Sequence, residues 1–157
     1  MPTNMIEEPE NSVAKQTIAS DIRQINLINQ FSEVDRQYDF IMAFCKDHSI
    51  SDKCAKSVCL ALEEAVVNVI NYAYPQGTQG NIFVHVEGGK DVISFIIKDS
   101  GVPFDPTKAA EADVTSDVEN RPIGGLGIFL IKSMMDRMEY QRTPDGFNLL
   151  RLEKKIS

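Results

Sequence analysis

Between Ser51 and Pro75 the chain places Ala55, Val58, Leu62, Ala65, Val66, Val69 and Ile70 at helical spacing, an apolar face so wide that the helix must be buried. Ser51 stands before it as an N-cap, and Pro75 and Gly77 end it. On one side of this core helix lie Glu64, Asn68 and Asn71, at i, i+4 and i+7. Polar groups there need partners. One reading is hydrogen bonding to neighbouring loops, the common fate of polar helix positions. The other is metal and proton chemistry: an Asn carbonyl is a hard neutral oxygen suited to one Mg²⁺ position, and a carboxylate one turn away can orient or deprotonate a nucleophile.

The remaining elements follow from local pattern. Val34, Tyr38, Ile41 and Cys45 predict a helix from Ser32 to Asp47, with Ser32 as its N-cap. Asn81–Glu87 and Val92–Asp99 read as strands around Gly88-Gly89, whose glycines are expected to supply the positive φ of a tight hairpin. Met138–Arg142 and Phe147–Leu152 form a second hairpin around Asp145-Gly146, and a short helix from Leu126 to Met135 lies between the hairpins. Val13, Ile18, Ile22, Ile25 and Leu27 fit one or two strands within Ser12–Asn29. This order predicts an α+β two-layer sandwich, an antiparallel-rich mixed sheet covered on one face by helices.

Composition narrows the function classes. With 157 residues, 43% hydrophobic and 25% charged, the chain suits one globular domain and excludes a fibrous or disordered one. A net charge of −7 argues against direct nucleic-acid binding and against an anionic membrane surface. The acidic, polar start MPTNMIEEPENS has no signal-peptide blocks, and no apolar run reaches spanning length, so a cytoplasmic protein is expected. Cys45, Cys54 and Cys59 lack CxxC spacing and His48 and His85 stand alone, which disfavours a disulfide framework or a zinc site.

Two glycine-bearing stretches complete the chemistry. In KDSGVPFDP, Asp99 ends an apolar strand; it either makes a turn or accepts a hydrogen bond from a purine's exocyclic amine, with Gly101 admitting the base. In RPIGGLGIFLIKSMMD, Gly124-Gly125-Leu126-Gly127 precedes a helix, as a hinge or as a set of backbone N–H groups presented to phosphate. No GxxxxGK[ST] occurs, Gly125-Leu126-Gly127 lacks the third glycine of GxGxxG, and H-R-D and D-F-G are missing, which excludes P-loop, Rossmann and eukaryotic-type kinase sites.

In this order, ALEEAVVNVINYAYP, KDSGVPFDP and RPIGGLGIFLIKSMMD resemble the N box and the two glycine boxes of the ATPase superfamily shared by gyrase, heat-shock chaperones, histidine kinases and mismatch-repair proteins. The closer resemblance is to the bacterial anti-sigma factor serine kinases of partner-switching systems. It implies a histidine-kinase-like ATP-binding domain over residues 23–157, behind an N-terminal extension, 1–22, that is partly mobile. It also implies ATP and Mg²⁺ as cofactors, Glu64 as general base and Asn68 as the Mg²⁺ ligand. Asp99 and Gly101 would contact adenine; Asn71, Gly124, Gly125, Leu126 and Gly127 would line the nucleotide. The stretch between Pro106 and Gly124 would form an ATP lid, with Arg121 as a phosphate contact. The implied activity is phosphorylation of an anti-sigma factor antagonist, with a sigma factor or other target as second partner and a homodimer as the usual assembly. The alternative is a nucleotide-gated binding switch without phosphoryl transfer.

Overall fold

The structure, a computed structural model, describes residues 21–108 and 125–156. Strand β1 (Asp21–Ile28) is followed by a 3₁₀ turn (Phe31–Glu33), helix α1 (Val34–Asp47) and helix α2 (Asp52–Tyr72). Then come β2 (Asn81–Gly88), β3 (Val92–Asp99), α3 (Gly125–Met134), β4 (Arg137–Arg142) and β5 (Asn148–Lys155). The strands form one sheet in the order β1-β2-β3-β5-β4, and every ladder among the described residues is antiparallel. A mixed sheet was expected; the parallel component is not used.

Side-chain alternation decides which face the helices cover. Ile82, Val84 and Val86 of β2, Ile93, Phe95 and Ile97 of β3, and Leu150 and Leu152 of β5 are all buried. Against them pack Val58, Leu62, Ala65 and Val66 of α2, Ile41 and Phe44 of α1, and Ile131 of α3. Each large aliphatic or aromatic side chain removed from water this way contributes about 1.5–3 kcal/mol, so the apolar face of α2 is the main adhesive between the layers. Ser51 caps α2 as expected, its hydroxyl accepting from Cys54 N at 3.2 Å. Burial pushes the thiols of Cys45 and Cys59 up to about 11 and about 12, so both stay protonated as core residues.

Two local expectations are corrected. Ser32 does not cap α1, because the chain enters through the 3₁₀ turn and the N-cap position falls on Glu33 without a side-chain bond. Glu33 instead turns its carboxylate back to accept from Ile28 N at 3.2 Å, closing the end of β1. Gly88 and Gly89 do not adopt positive φ; among the described glycines only Gly77 and Gly146 do, at 85° and 92°. Gly88 is required for space rather than for conformation. A Cβ there would stand 2.9 Å from Phe44 Cζ and 3.2 Å from His48 Cε1.

That contact belongs to a polar knot where β1 passes the end of α1. Asp21 Oδ2 accepts from Arg23 Nη2 at 2.6 Å and pairs with His48 Nε2 at 3.0 Å, while Arg23 Nη1 reaches Asp47 at 2.8 Å. The Arg23 guanidinium, and after it His48, hold the Asp21 carboxyl below the usual carboxylate range. The His48 ring stacks on Phe44 at 4.2 Å. Gly88→Ala is therefore expected to overpack the fully buried Phe44 and destabilise the fold by about 1–3 kcal/mol, read as a lowered urea midpoint. An unchanged midpoint would show that α1 shifts freely on the sheet.

Candidate functional site

The last turn of α2 is fastened to the end of β3. Tyr74 donates its hydroxyl to Asn81 O at 2.7 Å and accepts from Ser100 N at 2.9 Å, and Val102 N donates to Ala73 O at 2.7 Å. Gly101 lies hard against this joint: a Cβ there would run into the Ala73 carbonyl. The absent side chain of Gly101 thus faces α2 rather than an open space. Its carbonyl accepts from Arg142 Nη1 at 2.8 Å.

This joint brings the polar side of α2 over Asp99. A cavity of about 20 Å³ is lined by Asn68, Asp99, Phe104, Tyr140 and Asn148, with Ala65, Val69, Ile97, Ile131 and Leu150 among its apolar walls. Asp99 is only 2% exposed. Its Oδ1 accepts from Gly101 N at 2.9 Å and from Asn148 Nδ2 at 2.9 Å. Burial pushes the carboxyl above its ordinary range, and the bonds from Asn148 and Gly101 with the charge of Arg142 offset only part of the rise.

Glu64 and Asn68 sit at the start of α3. A Cβ on Gly127 would stand 2.5 Å from Glu64 Oε2 and 3.8 Å from Asn68 Nδ2, so this glycine lets α3 approach the polar strip. Glu64 is half-buried, and burial, then the neighbouring Glu63, raises its carboxyl. Asn68 is 7% exposed, and its Nδ2 is buried without a hydrogen-bond partner. Among the described residues no group of three or more His, Cys, Asp or Glu could hold a metal, so a cation at Asn68 would take its other ligands from a bound molecule and water. The orphaned amide fits that role: turned over, it offers its oxygen to the same space.

The structure therefore brings together Glu64, Asn68 and Gly127, and sets Asp99 beside Asn68 in the cavity wall. Asn71 stands apart, exposed and outside the cavity lining. Gly125 and Leu126 open α3, with the Leu126 side chain 48% exposed. Arg121, Gly124 and most of the expected lid lie outside the described residues; of that stretch only Thr107 and Lys108 are described, where Asp105 Oδ1 accepts from Thr107 N at 2.9 Å.

Sequence reasoning missed Asn148, which is 4% exposed and joins Asp99 to β4 and the loop after β3. Its signal was present: in β5 it shares the inward register of Leu150 and Leu152, where an unpartnered polar residue is costly.

A sequence model described as the histidine kinase-like ATPase domain matches residues 30–154, well over half of the chain. The chain belongs to that family. Within the ATPase family, it is 29% identical over 96 residues to serine/threonine-protein kinase BtrW of Bordetella bronchiseptica, covering 61% of this chain and 67% of that one. It is 33% identical over 90 residues to serine-protein kinase RsbW of Staphylococcus aureus, covering 54% and 57%. The chain spans little more than half the length of several of the curated relatives it matches. The SiaB–SiaC complex from Pseudomonas aeruginosa superposes over 97% of this chain and 99% of that one, at 12% identity and a TM-score of 0.48, too loosely to speak for individual residues.

For an ATPase-family domain, a buried Asp whose carboxyl is raised has a measurable cost. An acid with a higher pKa in the folded chain favours folding while protonated, below its unfolded value, and that contribution is lost as pH rises through the folded value. Charged Asp99 therefore weakens the ligand-free fold at neutral pH. Asp99→Asn keeps an acceptor for Gly101 and Asn148, so the variant is expected to melt at the same or a higher temperature at neutral pH. The gap should close on acidification toward the free Asp range, about 3.9. A variant melting well below the parent at neutral pH would make the carboxylate a structural anchor instead.

Proposed function

We propose that this protein is an ATP-dependent protein serine kinase that phosphorylates an anti-sigma factor antagonist and binds a sigma factor, or another regulatory target, alternately with it. The observation that carries the reading is the meeting of half-buried Glu64, orphaned Asn68 and side-chain-free Gly127 at the start of α3. The names of the curated relatives support the kinase activity; the antagonist and the second partner belong to the proposal alone.

In this reading Asp99 accepts the exocyclic amine of adenine, and the backbone N–H groups of Gly125, Leu126 and Gly127 point a helix N-terminus at the phosphates. Gly124 and Arg121, which lie outside the described residues, enter this reading only through the family resemblance, as a further amide and a charge for the phosphates. Asn68 would hold Mg²⁺, which when bound neutralises phosphate charge. Glu64 takes the proton of the substrate serine as its Oγ bonds to the γ-phosphorus and the bond from that phosphorus to the ADP oxygen breaks. The raised carboxyl of Glu64 suits this work, since a base is most effective when its pKa lies near the working pH. Gly127 keeps the approach clear: any larger residue would press on the Glu64 carboxylate.

Two substitutions should fail differently. Glu64→Gln preserves size, so it should retain Mg-ATP binding and lose phosphoryl transfer by about 10²–10⁴-fold, the usual worth of a positioned base. Asn68→Ala should lose Mg²⁺-dependent binding as well. Transfer of radiolabelled γ-phosphate to the cognate antagonist, beside calorimetry with Mg-ATP, reads both. Wild-type protein that binds Mg-ATP and the antagonist yet transfers nothing would replace the kinase with a nucleotide-gated switch; absence of adenine-nucleotide binding would end both readings.

A further inference from the structure

The hydrogen bonds of Asn148 leave it no capacity to touch a ligand. Its Nδ2 donates one hydrogen to Asp99 Oδ1 at 2.9 Å and the other to Val102 O at 2.8 Å. Its Oδ1 accepts from the Tyr140 hydroxyl at 2.6 Å, from Arg142 Nη1 at 3.2 Å and, at the limit of a bond, from Phe104 N at 3.4 Å. Donors surround one atom and acceptors the other, so the amide has a single orientation. The β3–β5 register, which sets Asp99 opposite Asn148, holds the pair in place.

The consequence falls on Asp99. Its Oδ1 receives two donors, Gly101 N and Asn148 Nδ2, which fill both lone pairs of that oxygen. Among the described residues Oδ2 receives none. Within the described residues Asp99 thus presents one open oxygen, enough for a base offering a single amine, as adenine does. Guanine offers two adjacent donors, N1–H and the N2 amine, which a carboxylate meets with both oxygens.

We infer that Asn148 is a positioning residue that makes the site select adenine over guanine, by occupying Asp99 Oδ1 and aiming Oδ2 at the base. The inference rests on the reading above that Asp99 meets a purine, and adds the residue that decides which one. Loss of Asn148 leaves Oδ1 with Gly101 N alone, which frees one of its two acceptor positions and loosens the Asp99 side-chain torsion, while the groups at the start of α3 that would hold the phosphates are untouched.

Calorimetric titration with ADP and with GDP, Mg²⁺ present, tests it on the full chain. Wild type is expected to prefer ADP, and Asn148→Leu to weaken ADP about tenfold, the worth of one buried hydrogen bond, with GDP unchanged within about twofold. Asn148→Ala, which removes the donor without bulk and without a second carboxylate beside Asp99, should lose the same preference and covers the case in which the leucine variant does not fold. A parallel fall in both nucleotides would make Asn148 a merely structural residue and overturn the inference, as would an unchanged ADP affinity in a folded variant. Wild type that binds ADP without preference over GDP overturns it while leaving the kinase reading intact; wild type that binds neither removes that reading first, and the inference with it.

Discussion

Three segments of the chain meet at the hydroxyl of Tyr74: the end of α2, the start of β2 through Asn81 O, and the end of β3 through Ser100 N. A helix that fills a core can slide along a sheet, because apolar contacts are not directional. These bonds are directional, and they stop the slide. The neighbouring glycines tighten the same joint, since a Cβ on Gly80 would enter the Tyr74 ring and one on Gly101 would enter the Ala73 carbonyl. With that end of α2 fixed, the rise of the helix sets Asn68 and Glu64 one and two turns back along it, between Asp99 and the start of α3.

The site assembled around that joint runs against stability in two places. Asp99 is a carboxylate taken out of water, and Asn68 carries a buried amide nitrogen without a partner. Each costs free energy in the empty fold, of a kind that selection for stability alone would remove. Asn148 and Gly101 offset part of the first cost, but through Oδ1 alone. Among the described residues the other oxygen and the Asn68 amide nitrogen meet no hydrogen-bond partner. Gln37 Oε1 on α1 is also buried without a partner but stands alone, away from the cavity; two rule-breaking residues, Asp99 and Asn68, facing one cavity are the mark of a binding site.

The fold was largely legible because its signals are periodic and long. The α2 face, the alternation along β2 and β3, and the Ser51 cap depend on residues close in sequence. What failed was finer. A cap at Ser32 was a sound local inference overridden by a 3₁₀ entry that spends Glu33 on β1. Gly88 was read as a conformational residue when its reason lies in Phe44, over forty positions earlier in the chain. The site divides the same way: Glu64 and Asn68 come from helical spacing, Asn71 shares that spacing and yet lies exposed, and Asn148 acquires its meaning only when β5 pairs with β3. Long-range pairing is what a single sequence states least directly.

The cavity has a mechanical implication. At about 20 Å³ it is far below the 300–1,000 Å³ usual for ligand pockets, so the proposed base site at Asp99 requires part of this wall to move. Ile97 and Leu150 sit in the paired centre of the sheet, and Ala65 and Val69 on the helix anchored by Tyr74, so none of these can retreat without breaking the core. Phe104 and Pro106 are different, for they lie on the segment after β3, and Phe104 is held there by a tilted contact with Tyr72 at 5.6 Å and the long bond to Asn148. Opening the pocket therefore means moving residues 103–106 while the anchors at Asp99, Gly101 and Val102 stay fixed.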